Sequence, residues 1–489
     1  MADMKSIEKI AKMRGFIYPS ASIYGGLSGF YDYGHLGFRM KNKIENSWRE
    51  FFLKSDDILE ISTRTVVPES VWEASGHLKD FVDPLTQCEK CKSMFRADTL
   101  IEEQTGKFVE GLGPEELSKI IKEKNVKCLK CKSALGEVRV FNLMSKTNVG
   151  PVEGNVAYLR PETAQGIFTN FALIARSSRA KLPFGIAQIG LSYRNEISPR
   201  QWIIRLREFN QMEIEMFIHP NKLDDCPNFS DVAKEKLRIV TRESQKKKGE
   251  VTEITAEQAV EKKIIPNKWM AYFIAKQMVW YQKLGLPFES LRHRHMLPEE
   301  TPHYSKGNFD LEIQFDFGWK ETVGNAYRTD YDLSSHSKKS GTDMSIKDGE
   351  EKIIPHVIEP SFGMERTLYG ILLHCFVEDK ERGWDWFKFP AKIAPYTVVV
   401  YPLVKKDGLA EKAREVYEAL KKDFDVFYDE SGSIGRRYAR ADEIGTPFAI
   451  TIDYDTKEDN TVTVRYRDTA KQERVKIQDL KSFISNKMN

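Results

Sequence analysis

Residues 193 to 217, YRNEISPRQWIIRLREFNQMEIEMF, bring guanidinium and carboxylate groups together at spacings that could do chemistry. The segment reads as two β-strands joined by an arginine-rich loop. In the second strand Gln211, Glu213 and Glu215 alternate with Met212, Ile214 and Met216. Side chains two apart share a face, so the acids fall on one side and the apolar residues on the other. Arg194 ends the first strand, with Ser192 and Gln188 on its face. One wall of a sheet therefore carries both signs of charge. Such a wall could hold an anion beside an ammonium group, as an amino acid meeting a nucleotide would require. The same pattern also suits an exposed hairpin with solvated charges.

The six cysteines are clustered. Cys88 with Cys91 and Cys128 with Cys131 form two C-x2-C pairs, with 36 residues between them. Cys226 and Cys375 stand alone. In a cytosolic chain paired knuckles favour a structural zinc ion over disulfides. Reduced thiols without a metal are the plainer reading, and a redox role is a third. No ligand set leaves an open position of the kind catalytic zinc needs.

The elements that must position these groups can be read from periodicity. Residues 37 to 53 predict an amphipathic helix with Met40, Ile44, Trp48 and Phe51 on one stripe. A single strand, ILEISTRTVV, should follow and end at Pro68. Residues 69 to 150 read as an insertion that carries both cysteine pairs. Residues 162 to 178 predict a helix with Ile167, Phe168, Phe171 and Ile174 inward. The stretch from 221 to 266, with its QKKKGE run, is strongly charged. It reads as a solvated surface insertion, or else as a lid or arm that touches nucleic acid. Residues 269 to 284 form an aromatic-rich helix, read as core. In LEIQFDFGW, Leu311, Ile313, Phe315 and Phe317 should face the core, opposite Glu312, Gln314 and Asp316. Residues 355 to 376 run from strand to helix. The sheet is thus largely antiparallel. Near residue 391 the pattern changes: AKIAP reads as a linker, and a compact α/β domain of VVVYPL, DVFYDE, FAITIDYD, TVTVRYRD and RVKI with intervening helices follows.

Composition bounds the function. The chain has 489 residues, enough for two or three domains. With 30% charged and 41% apolar residues it is ordinary for a cytoplasmic protein. A net charge of only +3 means that any nucleic-acid contact must come from local basic patches. No apolar run approaches a membrane span, and the start MADMKSIEKIAKMRGF lacks the apolar region of a signal peptide.

Two further segments, RPETAQG at 160 to 166 and EPSFGMER at 359 to 366, complete a set with YGGLSGFYDYGHLG and RNEISPR. In this order they resemble class II aminoacyl-tRNA synthetases, and within that class the glycyl-tRNA synthetases of the archaeal and eukaryotic homodimeric type. The resemblance runs from about residue 8 to about residue 480 and weakens between about 221 and 266. It implies an α+β fold: a catalytic domain over 1 to 390 with an antiparallel sheet flanked by helices, and an α/β anticodon-binding domain over 391 to 489. Motif 1 would span about 37 to 68, motif 2 about 184 to 217 and motif 3 about 355 to 376, with insertions at about 69 to 150 and about 221 to 300.

The resemblance also implies a reaction: glycine is activated by ATP to glycyl-adenylate, then passed to the 3′ end of tRNA(Gly). In the family, the counterpart of Arg194 bridges the α-phosphate and the substrate carboxylate, and that of Arg366 holds the far phosphates. Asn195, Glu196, Arg205, Leu206, Glu321 and Thr322 match other ATP positions, with Glu196 near the adenine amino group and Glu321 near ATP or its Mg2+. Glu162, Glu213, Glu359, Pro360 and Ser361 match positions around glycine. Cys88, Cys91, Cys128 and Cys131 would hold one structural Zn2+ in members that keep them. Arg436, Arg437, Tyr438 and Arg440 would meet the anticodon, cations for phosphate and an aromatic face for stacking. A homodimer in the cytoplasm, with no membrane partner, is implied too.

HLGF at 35 to 38 and LMSKT at 143 to 147 mimic class I signatures, but no βαβ run or glycine-rich turn lies between them. GMER carries a glutamate where eukaryotic members often have glycine; the general class II pattern accepts it. An inactive paralogue would have lost the arginines and pocket carboxylates, which are present. A synthetase for threonine, proline, serine or histidine would share the domain plan without the acidic pocket.

Overall fold

The computed structural model of the chain describes residues 3 to 488 except 55, 108, 110, 152, 153, 248 and 303, so Lys248 of the QKKKGE run lies outside the described residues. Its centre is a nine-stranded sheet. In chain order the strands are β1 (Ile58–Ile61), β2 (Phe184–Tyr193), β3 (Glu208–Ile218), β4 (Lys236–Val240), β5 (Thr252–Thr255), β6 (Leu291–His295), β7 (Asn308–Phe315), β8 (Gly318–Thr329) and β9 (His356–Gly363). In space they run β5-β4-β6-β7-β8-β9-β3-β2-β1. Neighbours are antiparallel except β1 with β2 and β4 with β6. This is the largely antiparallel sheet that the alternating runs predict. HLGF opens a helix and LMSKT lies in the short strand Ser145–Asn148 and the turn before it, far from any Rossmann arrangement.

The helices are α1 (His35–Trp48), α2 (Ala164–Ser178), α3 (Lys268–Lys283), α4 (Tyr331–Ser340) and α5 (Met364–His374). The apolar face of β3, Met212, Ile214 and Met216, is buried in one cluster with residues of α1, α3 and α5. Burying each such side chain contributes about 1.5–3 kcal/mol. The opposite face of β3 carries Gln211, Glu213 and Glu215. Its far end, Phe217, is covered by Phe168 and Phe171 of α2. The pleat therefore decides the chemistry: one side of β3 is core, and the other is an acidic wall under a helix.

Several expectations change. The helix stripe is Met40, Ile44, Trp48 and Phe52, not Phe51, because Arg49–Leu53 form a π-helical turn that carries the four-residue spacing onward. ILEISTRTVV is two strands. β1 joins the large sheet, while Val66–Pro68 pairs with Val156–Leu159 in a small three-stranded sheet. The 221 to 266 stretch is not a solvated insertion. It supplies β4 and β5, with Leu237 and Ile239 in the core, and the aromatic helix α3 that follows is mostly buried, as expected. Lysines and arginines alternate with these apolar residues, so the net charge hid a half-buried strand. Phe317 packs against the core as expected, but from the turn after β7, which ends at Phe315, and the two rings stack.

The C-terminal sheet is β10 (Val398–Pro402), β11 (Val426–Tyr428), β12 (Phe448–Ile452), β13 (Thr461–Tyr466) and β14 (Gln472–Lys476), ordered β11-β10-β12-β13-β14. With α6 (Leu409–Leu420) and α7 (Ile434–Glu443) it has its own core around Val398, Val400, Val416 and Ile450. AKIAP is no free tether. Ile393 and Ala394 are buried in the large core beside Phe387 and Phe389. Lys43 Nζ donates to the Ala394 carbonyl at 2.7 Å, and Arg467 Nη2 donates to that of Phe389 at 2.8 Å. Among the described residues no helix is long and apolar enough to cross a membrane.

Candidate active site

A cavity of about 320 Å³ opens on the acidic wall. Its lining includes Glu162, Arg194, Glu196, Arg205, Leu206, Glu213, Glu321, Thr322, Glu359, Ser361 and Arg366. Segments more than 200 residues apart in sequence thus meet at one place. Asn195 and Pro360 do not line it. Each sits between two lining residues, and the period of two turns it away. Asn195 is exposed and donates its N–H to the Leu143 carbonyl at 2.7 Å, while Pro360 pairs with Asn325 of β8.

One end of the cavity is basic. The Arg194 guanidinium carbon lies 5.3 Å from the Phe81 ring and 5.2 Å from the Phe209 ring, and its Nε donates to the Pro161 carbonyl at 3.2 Å. Arg366 donates from Nη1 to the Glu321 carbonyl at 2.6 Å and from Nε to that of Ile204 at 3.1 Å. Arg205 reaches Glu196 at 3.4 Å. These contacts aim three guanidinium groups, which suits planar anionic oxygens. The glutamate of GMER is structural. Glu365 accepts from Asn210 N and Nδ2 and from the Tyr33 hydroxyl, joining β3, α5 and the N-terminal region.

The other end is acidic. Glu162, Glu213 and Glu359 face the cavity and are almost wholly buried. Glu162 accepts from Gln165 at 3.0 Å, and His77 Nε2 lies 3.3 Å from its other oxygen. Burial opposes the charge of Glu162, but His77, Arg328 and Gln165 outweigh it and hold the carboxyl well below the ordinary range. Glu213 accepts from the Thr163 hydroxyl. Burial, then the charge of Glu162, raises its pKa. Burial pushes Glu359 up to about 8 although Arg328 Nη1 donates to it at 2.6 Å.

Sequence reasoning missed Arg328, His77, Phe81, Tyr304 and Asp310. Arg328 is 1% exposed and also binds Asp332 through two N–H groups, at 2.7 and 2.9 Å. In NAYRTDYD only Asp332, four residues on, signals it; the other partners, Glu359 and Glu162, come from distant segments. Arg160 of RPETAQG is structural. It crosses β2 to bond the Leu191 carbonyl at 2.7 Å, and a Cβ on Gly190 would come within 2.1 Å of its Nη2.

A second cluster lies in the 69 to 150 region. The sulfur atoms of Cys88, Cys91, Cys128 and Cys131 all lie within 4.8 Å of one another, with Cys88 to Cys131 at 3.4 Å and Cys91 to Cys128 at 3.5 Å. A tetrahedral ion with bonds of about 2.3 Å needs edges of about 3.8 Å, so the four donors fit one. Hydrogen bonds with Ser133 pull the Cys131 thiol down to about 6, toward the thiolate that a metal requires.

Residues 152–375 match the family described as tRNA synthetase class II core domain (G, H, P, S and T), and residues 397–487 match the anticodon binding domain. Glycine–tRNA ligases are similar along almost the whole chain. That of Pyrococcus abyssi is 42% identical over 97% of this chain and 96% of its own length. That of Pyrococcus furiosus is 43% identical over 97% of each. The chain belongs to the glycine–tRNA ligase family. A distant class II structure, a prolyl-tRNA synthetase from Cryptosporidium parvum complexed with L-proline and AMP, shares the fold. It has a TM-score of 0.60 at 14% identity and covers 100% of this chain and 76% of that one.

The anticodon candidates of this family member separate. Arg437 is 4% exposed and donates to the carbonyls of Pro402 and Leu403. Tyr438 packs on Tyr401 and hydrogen-bonds Thr451. Arg440 is tied to Asp429 and to the Ser431 carbonyl. Those three hold α7 on the sheet, and of them Arg437 is buried while Tyr438 and Arg440 keep partial exposure. Arg436 alone of the four is exposed. The α7 periodicity turns 437, 438 and 441 toward the strands, so a run of like charge was split between two faces.

Proposed function

We propose that this chain activates glycine with ATP and transfers it to the 3′ end of tRNA(Gly). The observation that carries the reading is that one cavity brings together the guanidinium groups of Arg194, Arg205 and Arg366 and the buried carboxyls of Glu162, Glu213 and Glu359. Glycine has no side chain to grip, so its charged ends must supply the binding. Every competitor is larger, and a closed wall can exclude it, unlike a pocket that must tell isoleucine from valine by about 1–3 kcal/mol.

Adenylyl transfer needs positioning and charge stabilisation more than a general base. Arg194 would bridge the α-phosphate and the glycine carboxylate, and Arg366 the far phosphates. Glu196 would meet the adenine amino group, with Arg205 and Leu206 beside it. Glu321 and Thr322 would contact ATP, Glu321 directly or through the Mg2+ that screens the triphosphate. Glu162, Glu213, Glu359 and Ser361 would surround the ammonium group. The four cysteines would hold one structural Zn2+. We place the protein in the cytoplasm as a homodimer, with the C-terminal domain, from about residue 391, reading the anticodon.

Charging of a tRNA(Gly) transcript with labelled glycine tests this reading. Acid-stable glycyl-tRNA that forms only with ATP present is expected. A folded protein that charges no tRNA with glycine would sink it.

A further inference from the structure

Glu215 is fully buried on β3, two residues beyond Glu213 on the same face. It belongs to the same wall but is not among the residues that line the cavity. Oxygen atoms of Glu213, Glu215 and Glu359 lie within 4.8 Å of one another. Both Glu215 oxygens lack a hydrogen-bond partner. A glutamine or methionine would fill the same space without stranding a carboxylate, so packing alone does not call for an acid here.

The local charges do not balance. Glu162, Glu213, Glu215, Glu359 and Asp332 stand together with Arg328 among them; His77 adjoins Glu162 and the buried Arg160 faces Glu213, which still leaves the acids in excess. The hydrogen bonds of Arg328 go to Asp332 and Glu359. The groups facing Glu215 are Glu359 on β9, Arg328 on β8, Glu213 on its own strand and Asp332 on α4. Ile186, its partner on β2, is apolar. Adjacent buried carboxylates cannot all ionise, so such a set holds protons in common.

We propose that Glu215 is a proton-storing part of the substrate site. The Glu213–Glu215–Glu359 cluster holds a proton while no substrate is bound, and the arrival of the ammonium group of glycine drives that proton out to solvent. The carboxyl O–H breaks, water or buffer takes the proton, and the ammonium replaces its charge, so the pocket gains no net charge. This rests on the glycine reading above. It gives the acidic wall a second use: an uncharged ligand of similar size cannot displace the proton and so loses the charge pairing.

Burial pushes Glu215 well above the ordinary carboxylate range and Glu359 up to about 8. The free protein then carries more protons than its complex. Glycine binding should weaken as pH falls below about 8, approaching tenfold per pH unit for one linked proton.

The test is calorimetric titration of the full-length protein with glycine at pH 7, in phosphate and in Tris, whose ionisation enthalpies differ. Release of about half to one proton per site is expected, read from the difference in heat. In Glu215→Gln the release should fall by more than half. Equal heats in the two buffers for the unaltered protein would overturn the proposal, whether or not the variant folds. So would a folded Glu215→Gln that releases as many protons as the parent. If glycine does not bind at all, the glycine reading fails and takes this inference with it. If it binds without proton release, only this inference fails.

Discussion

Phe81→Ala should slow adenylate formation without touching any reacting atom. Phe81 comes from the 69 to 150 region, and its ring centre lies 5.3 Å from the Arg194 guanidinium. Phe209 supplies a second ring at 5.2 Å. A cation over an aromatic face gains about 0.5–1 kcal/mol when exposed and about 2 kcal/mol when desolvated. Loss of one ring leaves Arg194 free to leave its aim, at a cost between those limits. That is about a 2- to 30-fold fall in kcat. Removing the guanidinium itself, in Arg194→Ala, should cost about 10²- to 10³-fold, as for a preorganised transition-state donor. The two effects share one cause, so they should not add. The assay is pyrophosphate exchange at saturating glycine for both single variants and the double variant. The double variant should match Arg194→Ala within about twofold. If it is slower by the whole Phe81→Ala factor, the ring does not act through Arg194 and the reasoning fails.

Protein prepared without chelator should hold one zinc ion per chain, and Cys131→Ser should lower that content; less than about 0.2 per chain in the parent would favour metal-free thiols. Structural zinc contributes on the order of 10 kcal/mol to folding, so a chelator should loosen the 69 to 150 region first. Arg437→Ala strands two carbonyl groups at a cost of about 1–3 kcal/mol, which should lower the melting temperature of the C-terminal domain in calorimetry and leave glycine-dependent exchange intact. Arg436→Ala should leave melting unchanged and raise the KM for tRNA; an unchanged KM would remove Arg436 from the RNA face.

The sheet was legible because its strands alternate over long runs. Glu208–Ile218 and Leu311–Phe315 each keep one face apolar, and the period of two fixes which side chains share a wall. The cavity residues were legible by resemblance, since RPETAQG, RNEISPR and EPSFGMER carry them in order. Arg328 was not: Asp332 lies four residues on, but Glu162 and Glu359 reach it from the approach to α2 and from β9, and no local pattern records that meeting. Leu237 and Ile239 hid among lysines and arginines in a strand of five residues. The break between Ile61 and Val66 was invisible because both halves are β-branched and only their pairing partners differ. The burial of Arg437 was illegible for a related reason: its charge suggests exposure, and the carbonyl groups of Pro402 and Leu403 that it serves are distant in sequence.

The account stands most directly on the acidic pocket taking glycine. Pyrophosphate exchange measured separately with each of the twenty amino acids tests it. Glycine should support exchange at least about 10²-fold faster than alanine or serine at equal concentration, since one added group must meet a closed wall. Exchange with alanine or serine at a comparable rate, or with another amino acid and not with glycine, would contradict the account.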